Sequence, residues 1–429
     1  MYVCGEKGGE VFEMSKLDWF KEAKYGLFIH FGIYALPGGE WNGKPSPHGS
    51  EWIMKNMKIP YSEYKELAKK FDPQSFDPYY YVRNAKKWGM KYLTFTAKHH
   101  DGFAMYDTKV SDYNVMNTPY GKDIVKQLAD ACAEEGLTFC IYYSQMQDWE
   151  HPDGEGNSWD FDPEKKDFKR YFCDKCIPQV KELLTNYGKI GMMWFDTPYD
   201  MPEELCRELA EVVRACQPDC LINSRIGYGY GDFREVADNT IPVLSRRDVW
   251  ESPMTMNSSW GYIKRDKTSK SSADILQNLV RIVGKGGNLL LNLGPDENGL
   301  SPKVCTDALD SAGKWLEKYG DSIFGTTNIP NFPYLLPWGD LTYSAIRKTL
   351  YFHVKNYPAF PHRVLLTGLQ TKVRSVTLMY DGSQLKYSQS YEPGRDEHRL
   401  YVFLPEVCPD SDDTVVAVEL EGEATAQTI

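Results

Sequence analysis

The chain has 429 residues, too many for one ordinary hydrophobic core, so we expect one large domain and one small domain. Its formal net charge of −11 argues against nucleic acid or an anionic membrane surface as the main partner, and no apolar run reaches the roughly 18 residues that a membrane span needs. The N-terminal residues lack the apolar core of a signal peptide. The sequence as written therefore predicts a cytoplasmic protein. If the sequence had lost a leader segment, a secreted or periplasmic location would be the alternative.

The first 325 residues alternate between short apolar runs and longer amphipathic runs. The apolar runs, which are typical of strands, are 25–31, 91–96, 137–144, 191–196, 220–223 and 288–292. The amphipathic runs, which are typical of helices, are 61–71, 123–135, 165–187, 202–216 and 272–284. Apolar strands that alternate with helices predict a parallel sheet covered by helices, and six such strands favour an α/β fold, a (β/α)8-like TIM barrel of regular or irregular form.

The pattern changes after residue 325, where short alternating runs follow one another without a helical stretch. These runs are 341–346, 349–354, 363–367, 373–378, 400–403 and 414–420. They predict a small antiparallel β-sandwich of about 95 residues. Pro330, Pro333 and Pro337 fall in the linking segment, so the predicted domains are a barrel over 1–328 and a β-sandwich over 329–429.

Polar residues end most of the predicted barrel strands. They are His30, His99, His100, Asp101, Tyr143, Ser144, Asp196, Asn223 and Arg225. Because the carboxyl ends of parallel barrel strands meet at one face, these side chains are predicted to lie close together. The sequence therefore predicts a functional site at this face.

Asp196 is the strongest candidate for a nucleophile. It follows four apolar residues that begin at Met192, which places a charge at the end of an apolar strand. Glycoside hydrolysis needs two carboxyl groups that flank the scissile bond, together with donors and acceptors for sugar hydroxyls. An aspartate that caps a turn would have the same local sequence, so that alternative stays open from the residues alone.

The adjacent His99 and His100 raise the question of a metal site. Successive strand residues point to opposite faces, so two neighbouring ligands would need an irregular strand end. Neutral imidazoles that bind sugar hydroxyls are the alternative, because each ring offers one donor and one acceptor. We expect no metal and no cofactor, and we keep a metal-dependent barrel hydrolase, with His30, His99, His100 and Asp196 as ligands, as an alternative hypothesis.

The ten cysteines are scattered along the chain. Cys173 and Cys176 form a C-x-x-C pattern inside a predicted helix, and Cys216 and Cys220 could complete a zinc site with them. Neither pair lies in the knuckle-like turn that such sites use, so reduced, partly buried thiols are the expectation.

Five short motifs follow one another along the predicted barrel. They are Trp19 and Phe20 with Ala23 to Gly32 (AKYGLFIHFG), Ser50 to Trp52 (SEW), Thr96 to Phe103 (TAKHHDGF), Trp194 to Asp196 (WFD), and Gly286 to Pro295 (GGNLLLNLGP). In this order, over about residues 15–325, they resemble the α-L-fucosidases of glycoside hydrolase family twenty-nine, and the trailing β-sandwich also fits that family. The resemblance implies a retaining double displacement in which Asp196 attacks the anomeric carbon of a fucoside.

The same resemblance implies which residues hold the sugar. They are His30, Glu51, Trp52, His99, His100, Tyr143, Trp194, Arg225 and Trp260. Fucose is a 6-deoxy sugar, so its methyl edge suits aromatic walls while its hydroxyls suit His, Glu and Arg. Arg225 beside Asp196 would also keep the nucleophile ionised.

Two residues compete for the role of acid/base. By its spacing from Asp196, Asp238 corresponds to the acid/base of several family members. Glu251 lies in a motif that is favoured for the acid/base in other members. Trp260 lies downstream of both and anchors either alignment. Geometry should decide between them, because the two carboxyl groups of a retaining pair lie about 5–5.5 Å apart.

Three positions depart from the family pattern. Thr197 stands where Gly usually follows the nucleophile, Phe31 replaces a more common Trp, and Ser224 replaces a common Asp before Arg225. None of these changes removes a catalytic group. They concern the leaving-group side of the pocket, and with it the preferred linkage.

The expected function is that of a retaining exo-α-L-fucosidase that releases terminal α-L-fucosyl residues from oligosaccharides or glycoconjugates. Fucosylated glycans are the expected partners, and the sequence is compatible with a homo-oligomer. A non-catalytic glycan-binding pseudoenzyme, which keeps the pocket without turnover, is the alternative of a different class.

Overall fold

The structure is a computed structural model that describes residues 15–329, 332 and 336–427. Its helices are α1 (Asp18–Ala23), α2 (Ile53–Asn56), α3 (Tyr61–Tyr64), α4 (Pro78–Lys87), α5 (Ile124–Glu135), α6 (Phe168–Tyr171), α7 (Ile177–Asn186), α8 (Glu203–Cys216), α9 (Ser272–Val283) and α10 (Lys303–Tyr319). A π-helical turn, Phe172–Cys176, joins α6 to α7. Short 3₁₀ turns lie at Ile33–Ala35, Lys65–Lys70, Val115–Asn117, Pro163–Lys165, Ser224–Ile226, Gly320–Ser322 and Pro393–Arg395.

The strands fall into a first group before residue 300 and a second group after it. The first group is β1 (Tyr25–Ile29), β2 (Glu40–Trp41), β3 (Lys44–Pro45), β4 (Tyr92–Lys98), β5 (Thr138–Tyr143), β6 (Met192–Phe195), β7 (Leu221–Ile222), β8 (Arg234–Glu235), β9 (Trp250–Thr255) and β10 (Asn288–Leu293). The second group is β11 (Gly339–Ser344), β12 (Thr349–Val354), β13 (Arg363–Thr367), β14 (Val373–Leu378), β15 (Tyr387–Glu392), β16 (Glu397–Phe403) and β17 (Thr414–Leu420).

Eight strands of the first group form one parallel sheet in the order β7-β6-β5-β4-β1-β10-β9-β8, while β2 and β3 pair as a separate hairpin. The two edges of the sheet meet where Asn223 pairs with Phe233 and the Asp232 N–H donates to the carbonyl oxygen of Ile222 at 2.7 Å. The sheet therefore curls round on itself as an irregular barrel. The predicted (β/α)8-like fold is confirmed.

The barrel strands are buried on both faces, because side chains fill the interior and helices cover the outside. Every residue of β1, β4, β6, β9 and β10 is buried. This burial explains why most of the corresponding runs read as continuously apolar instead of alternating. The interior is crowded at Gly26 of β1, where a Cβ would overlap the ring of Tyr92 on the neighbouring strand β4.

Local capping signals set the ends of two long helices. Asp123 caps α5 by accepting a hydrogen bond from the Lys126 N–H at 2.8 Å, and Gly136 ends that helix in the left-handed conformation. Ser271 and Asp274 form a capping box at the start of α9. Because such signals are visible in sequence, α5 and α9 lie within one residue of the predicted 123–135 and 272–284.

The second group of strands builds two antiparallel sheets, in the orders β11-β12-β17-β14 and β13-β16-β15. Their apolar faces enclose a second core that runs from Ile329 to Leu420. The predicted antiparallel β-sandwich is confirmed. The boundary between 328 and 329 stays a prediction, and Pro330 and Pro333 of the predicted link lie outside the described residues.

Helices α9 and α10 of the barrel contact the sandwich directly. The Trp315 indole N–H donates to the carbonyl oxygen of Asp413 at 3.1 Å, and the Lys355 ammonium donates to the carbonyl oxygen of Gln277 at 3.1 Å. Within the part of the chain that the structure describes, no helix has the length and apolar content that crossing a bilayer requires.

Candidate active site

Asp196 follows β6 directly, and neighbouring loops hold its backbone. The Asp196 N–H donates to Oε1 of Gln145 at 2.8 Å, and the Phe195 N–H donates to Oδ1 of Asn223 at 2.9 Å. Thr197 comes next with a φ of 43°, so the chain turns sharply after the carboxylate. The Asp196 side chain is 11% exposed and opens on the carboxyl-end face of the barrel.

Three side chains surround the Asp196 carboxylate. The Tyr142 hydroxyl donates to Oδ2 at 3.0 Å, and Nη1 of Arg225 donates to Oδ1 at 2.9 Å. Nε2 of His100 lies 3.5 Å from Oδ2. Donors on both oxygens suit an ionised carboxylate, which can only accept hydrogen bonds.

Arg225 joins Asp196 to a second carboxyl group at the same face. Its Nη1 binds Asp196, its Nη2 binds Oδ1 of Asp238, and its guanidinium lies over the Trp194 ring at 4.8 Å. Burial lowers the pKa of Arg225, but the Asp196 and Asp238 carboxylates raise it by more. The guanidinium is therefore charged at any working pH, and it places the two carboxyl groups on either side of one planar cation.

Three histidines line the pocket as neutral rings. Burial lowers the pKa of His30 to about 4 and lowers the pKa values of His99 and His100 well below their ordinary value. Nδ1 of His30 bonds Oδ1 of Asn292 at 2.6 Å. Nδ1 of His99 and Nε2 of His100 are buried and have no hydrogen-bond partner among the described residues. Buried polar atoms without partners indicate that a polar ligand binds here.

Aromatic rings complete the pocket walls. Tyr142 stacks on Trp194 at 5.5 Å and on the His99 ring at 5.3 Å. Trp260 lies 5.1 Å from the His30 ring, and Trp52 meets the His100 ring edge-on at 4.9 Å. The pocket therefore combines apolar ring faces with unpaired imidazole nitrogens.

Glu51 lies at the edge of this cluster and is almost fully buried. Its Oε2 accepts hydrogen bonds from the Ser259 hydroxyl at 3.0 Å and from the Gly261 N–H at 2.9 Å. Burial raises the pKa of Glu51, and these hydrogen bonds offset only part of that rise. Glu51 thereby fixes the segment that carries Trp260 against the loop that carries Trp52.

Tyr143 does not reach the pocket, which corrects the sequence interpretation. Its hydroxyl donates to Oε1 of Gln179 at 2.8 Å, on the helix α7 that covers the outside of the barrel. Successive side chains of a strand point to opposite faces, and Tyr142 is the register partner of Trp194 on β6. Tyr142, and not the predicted Tyr143, is therefore the tyrosine of β5 that faces the pocket, beside Asp196.

Glu251 lies inside the barrel, below the pocket. It is the second residue of β9 and is fully buried. The Tyr92 hydroxyl donates to Oε1 and the Trp194 indole N–H donates to Oε2, the latter at 3.0 Å. The structure thus brings Asp238, whose side chain is 42% exposed, to the carboxyl-end face with Asp196, and it does not bring Glu251 there.

Within residues 15–329, 332 and 336–427, no three His, Cys, Asp or Glu side chains lie together in a way that could hold a metal ion. The described residues therefore give no support to the metal-dependent alternative, or to a zinc site at Cys173 and Cys176. Cys173 is exposed in the π-helical turn, and Cys176 is buried.

A family model described as Alpha-L-fucosidase matches residues 11–321, more than half of the chain. The chain belongs to the α-L-fucosidase family. A putative alpha-L-fucosidase of Caenorhabditis elegans is 29% identical over 384 residues, 81% of this chain and 76% of that one. The tissue alpha-L-fucosidase of Bos taurus is 27% identical over 421 residues, 91% of this chain and 85% of that one. The enzyme class expected from the sequence, a glycoside hydrolase of the α-L-fucosidase type, is confirmed.

Two solved α-L-fucosidase structures match nearly the whole of this chain, barrel and sandwich together, and a third matches 71% of it. The α-L-fucosidase from Vibrio sp. strain EJY3 has a TM-score of 0.91 and 32% identity over 96% of this chain and 74% of that one. AlfC from Lactobacillus casei, solved with its alpha-L-fucose product, is 41% identical with a TM-score of 0.69 over 71% of this chain and 99% of that one. A trapped covalent intermediate of a Bacteroides thetaiotaomicron enzyme has 27% identity and a TM-score of 0.85, over 97% of this chain and 99% of that one.

Two α-L-fucosidase pocket residues escaped the sequence analysis. Tyr142 could have been found from the two-residue period of β5, because it is the register partner of Thr96 and Trp194 on the neighbouring strands. Asn292 ends an apolar run that was predicted as a strand, but its hydrogen bond to His30 joins residues 262 positions apart. No local pattern encodes such a contact.

Proposed function

We propose that the chain is a retaining exo-α-L-fucosidase that hydrolyses terminal α-L-fucosyl residues of oligosaccharides or glycoconjugates, with Asp196 as nucleophile and Asp238 as acid/base. The observation that carries the proposal is the Arg225 guanidinium, which binds both carboxyl groups at the carboxyl-end face. The likeness to an enzyme whose covalent intermediate was trapped also supports a double displacement.

The first step forms a glycosyl-enzyme ester. An Asp196 oxygen attacks the anomeric carbon while Asp238 gives its proton to the leaving oxygen, so the glycosidic bond breaks and the alcohol departs. The Tyr142 hydroxyl and Arg225 hold the Asp196 oxygens in place for this attack. In the second step the Asp238 carboxylate takes a proton from water, whose oxygen attacks the same carbon and releases Asp196.

The remaining pocket side chains suit a 6-deoxy sugar. The unpaired nitrogens of His99 and His100 offer hydrogen bonds to ring hydroxyls, and neutral rings can both donate and accept. The ring faces of Trp260 and Trp52 offer the apolar contact that a methyl group prefers. A charged substrate group would find no counter-charge in these residues.

The proposal is tested by product stereochemistry. Proton NMR of a fresh digest of 4-nitrophenyl α-L-fucoside should show α-L-fucose first, with the β anomer growing only by mutarotation. Asp196→Ala should lose at least about a thousandfold in kcat, because the covalent route is closed. If β-L-fucose forms first, or if Asp196→Ala turns over normally, the retaining assignment fails.

Azide separates the two carboxyl roles. In Asp238→Ala, azide should attack the ester formed on Asp196 and give α-L-fucosyl azide, whereas in Asp196→Ala it should give the β anomer by direct displacement. Asp238→Ala should also slow fucosyl disaccharides far more than the nitrophenyl substrate, whose leaving group needs little protonation. Glu251→Ala is the control, and α-azide from that variant would reassign the acid/base.

A further inference from the structure

Two carboxyl groups face each other in the barrel interior, one layer below the pocket. Glu235 of β8 and Glu251 of β9 are register partners on adjacent parallel strands, so their side chains leave the sheet on the same face. Glu251 is fully buried. Both carboxyl oxygens of Glu235 are buried as well, and neither receives a hydrogen bond from an N–H or O–H donor of the described residues.

The hydrogen bonds indicate which of the two glutamates is ionised and which is protonated. Both oxygens of Glu251 already accept, one from the Tyr92 hydroxyl and one from the Trp194 indole N–H, as an ionised carboxylate does. Glu235 has no donor, and a second buried negative charge beside Glu251 would be strongly disfavoured. A proton held by Glu235 and donated to Glu251 satisfies both groups.

The pKa values of both carboxyl groups are raised, and that of Glu235 is raised further. Burial raises the pKa of Glu235 well above its ordinary value, and the Glu251 carboxylate and Asp238 raise it further, while Arg225 lowers it. Burial also raises the pKa of Glu251, and that pKa stays above its ordinary value although hydrogen bonds from Glu235, Tyr92 and Trp194 lower it. The shared proton therefore belongs on Glu235, the carboxyl group that has no donor, and Glu251 accepts it.

Trp194 connects this pair to the catalytic groups. Its indole N–H donates a hydrogen bond to Glu251. On the pocket side, the Arg225 guanidinium lies over the indole, 4.8 Å from the ring centroid. Arg225 in turn binds Asp196, which lies two residues after Trp194 on the same side of the chain. Any tilt of the indole would move the guanidinium against the Asp196 carboxylate.

We propose that Glu235 and Glu251 share one proton and act as positioning residues, which fix the Trp194 indole and through it the Arg225 guanidinium that spans Asp196 and Asp238. This inference rests on the proposed roles of Asp196 and Asp238. Neither glutamate touches the substrate. The space that Gly26 leaves for the Tyr92 ring belongs to the same arrangement, because Tyr92 supplies the second donor to Glu251.

The shared proton is tested without reference to activity. Infrared difference spectra at pH 7 between the unchanged protein and Glu235→Gln should show the loss of one protonated carboxyl band. Glu208→Gln is the matched control, because it makes the same chemical change on the exposed face of α8 and should show only carboxylate bands. A spectrum without a protonated carboxyl band would mean that both glutamates are ionised, and the inference would fail.

Kinetics test the positioning role. Glu235→Gln keeps a donor to Glu251 and should retain kcat, whereas Glu235→Leu and Glu251→Gln should lower kcat by about tenfold or more, with a smaller change in KM. Trp194→Phe removes the indole N–H and should give the same loss while the infrared band remains. If Glu251→Gln does not fold, Trp194→Phe takes its place as the test of the positioning role.

The outcomes separate this inference from the proposed function. Equal kcat in Glu235→Gln and Glu235→Leu, or normal turnover of Glu251→Gln, would overturn the positioning role while the azide anomers from Asp196 and Asp238 variants stay as expected. Wrong azide anomers would overturn the catalytic roles, and they would leave the infrared result untouched.

Discussion

Tyr142 and Tyr143 are adjacent in the chain, yet one contacts Asp196 in the pocket and the other contacts a helix outside the barrel. Tyr142 donates to the Asp196 carboxylate, and Tyr143 donates to Gln179 on a covering helix. Both tyrosines are fully buried at the end of β5, so composition and burial do not distinguish them. The difference follows only from the side of the strand on which each ring lies.

Tyr142→Phe should lower kcat/KM about tenfold, because one of the two donors on Asp196, the proposed nucleophile, is removed while the ring remains. Steady-state kinetics with 4-nitrophenyl α-L-fucoside measure this loss. The unfolding free energy should fall by about 1 kcal/mol, because one buried hydrogen bond is lost while the phenyl ring keeps its stacking on Trp194 and on His99.

Tyr143→Phe is the matched control one residue along the strand. It removes the hydrogen bond to Gln179 and should reduce the unfolding free energy by about 1 kcal/mol. Its kcat/KM should equal that of the unchanged protein. A larger kinetic loss in Tyr143→Phe than in Tyr142→Phe would contradict the assignment of the two faces.

At the scale of elements, apolar runs predicted six of the eight barrel strands, and the two that they missed carry the buried carboxyl pair. β8 has only two residues, and β9 reads Trp-Glu-Ser-Pro-Met-Thr, so neither looks apolar in sequence. Glu251 is tolerated inside the barrel because Tyr92 and Trp194 satisfy its oxygens. That compensation comes from distant strands, and the sequence of β9 alone cannot reveal it.

Gly26→Ala tests how tightly β1 is fitted to β4. The added Cβ would overlap the Tyr92 ring, so the strand or the ring must shift, at a cost of about 1–3 kcal/mol in unfolding free energy. The displaced ring would also weaken the Tyr92 hydrogen bond to Glu251, and kcat should fall along with stability. Urea unfolding and steady-state kinetics measure the two effects.

Gly394→Ala is the control for this change. A Cβ at that position in the sandwich meets no atom within 4 Å, so the same substitution should shift the unfolding free energy by less than about 1 kcal/mol and leave kcat as it is. If Gly26→Ala also changed neither the unfolding free energy nor kcat, the close approach of Tyr92 to Gly26 would not contribute to stability. The proposed connection from β1 through Tyr92 to Glu251 would then be refuted.

At the scale of the whole molecule, the two architectures could be read from the change of period near residue 325, but the contacts between them could not. The bounds of β12, β13, β14 and β17 match the predicted runs, because alternation is a local property. The contacts of Trp315 with Asp413 and of Lys355 with Gln277 join residues far apart in the chain. Nothing in either local pattern anticipates them.

His353 tests whether the sandwich stabilises the barrel without taking part in catalysis. It is fully buried on β12, with Nδ1 2.7 Å from Oδ2 of Asp413 and Nε2 3.2 Å from the Thr342 hydroxyl. His353→Ala leaves the Asp413 carboxylate buried without this partner, next to the Trp315 contact with α10. The unfolding free energy should fall by about 3 kcal/mol, because the Asp413 carboxyl group stays buried after its hydrogen-bond partner is removed.

The measurement is a urea titration followed by circular dichroism, with kcat/KM taken well below the transition. kcat/KM should stay unchanged, since the buried pair is remote from Asp196 and contacts none of its hydrogen-bond partners. Lys372→Ala, which opens an exposed ion pair with Glu421 on the sandwich, should leave the midpoint where it was. A fall in kcat/KM of His353→Ala under conditions where the variant is fully folded would show that the sandwich influences the site. Equal urea midpoints for His353→Ala and Lys372→Ala would show that the His353 contact does not stabilise the protein.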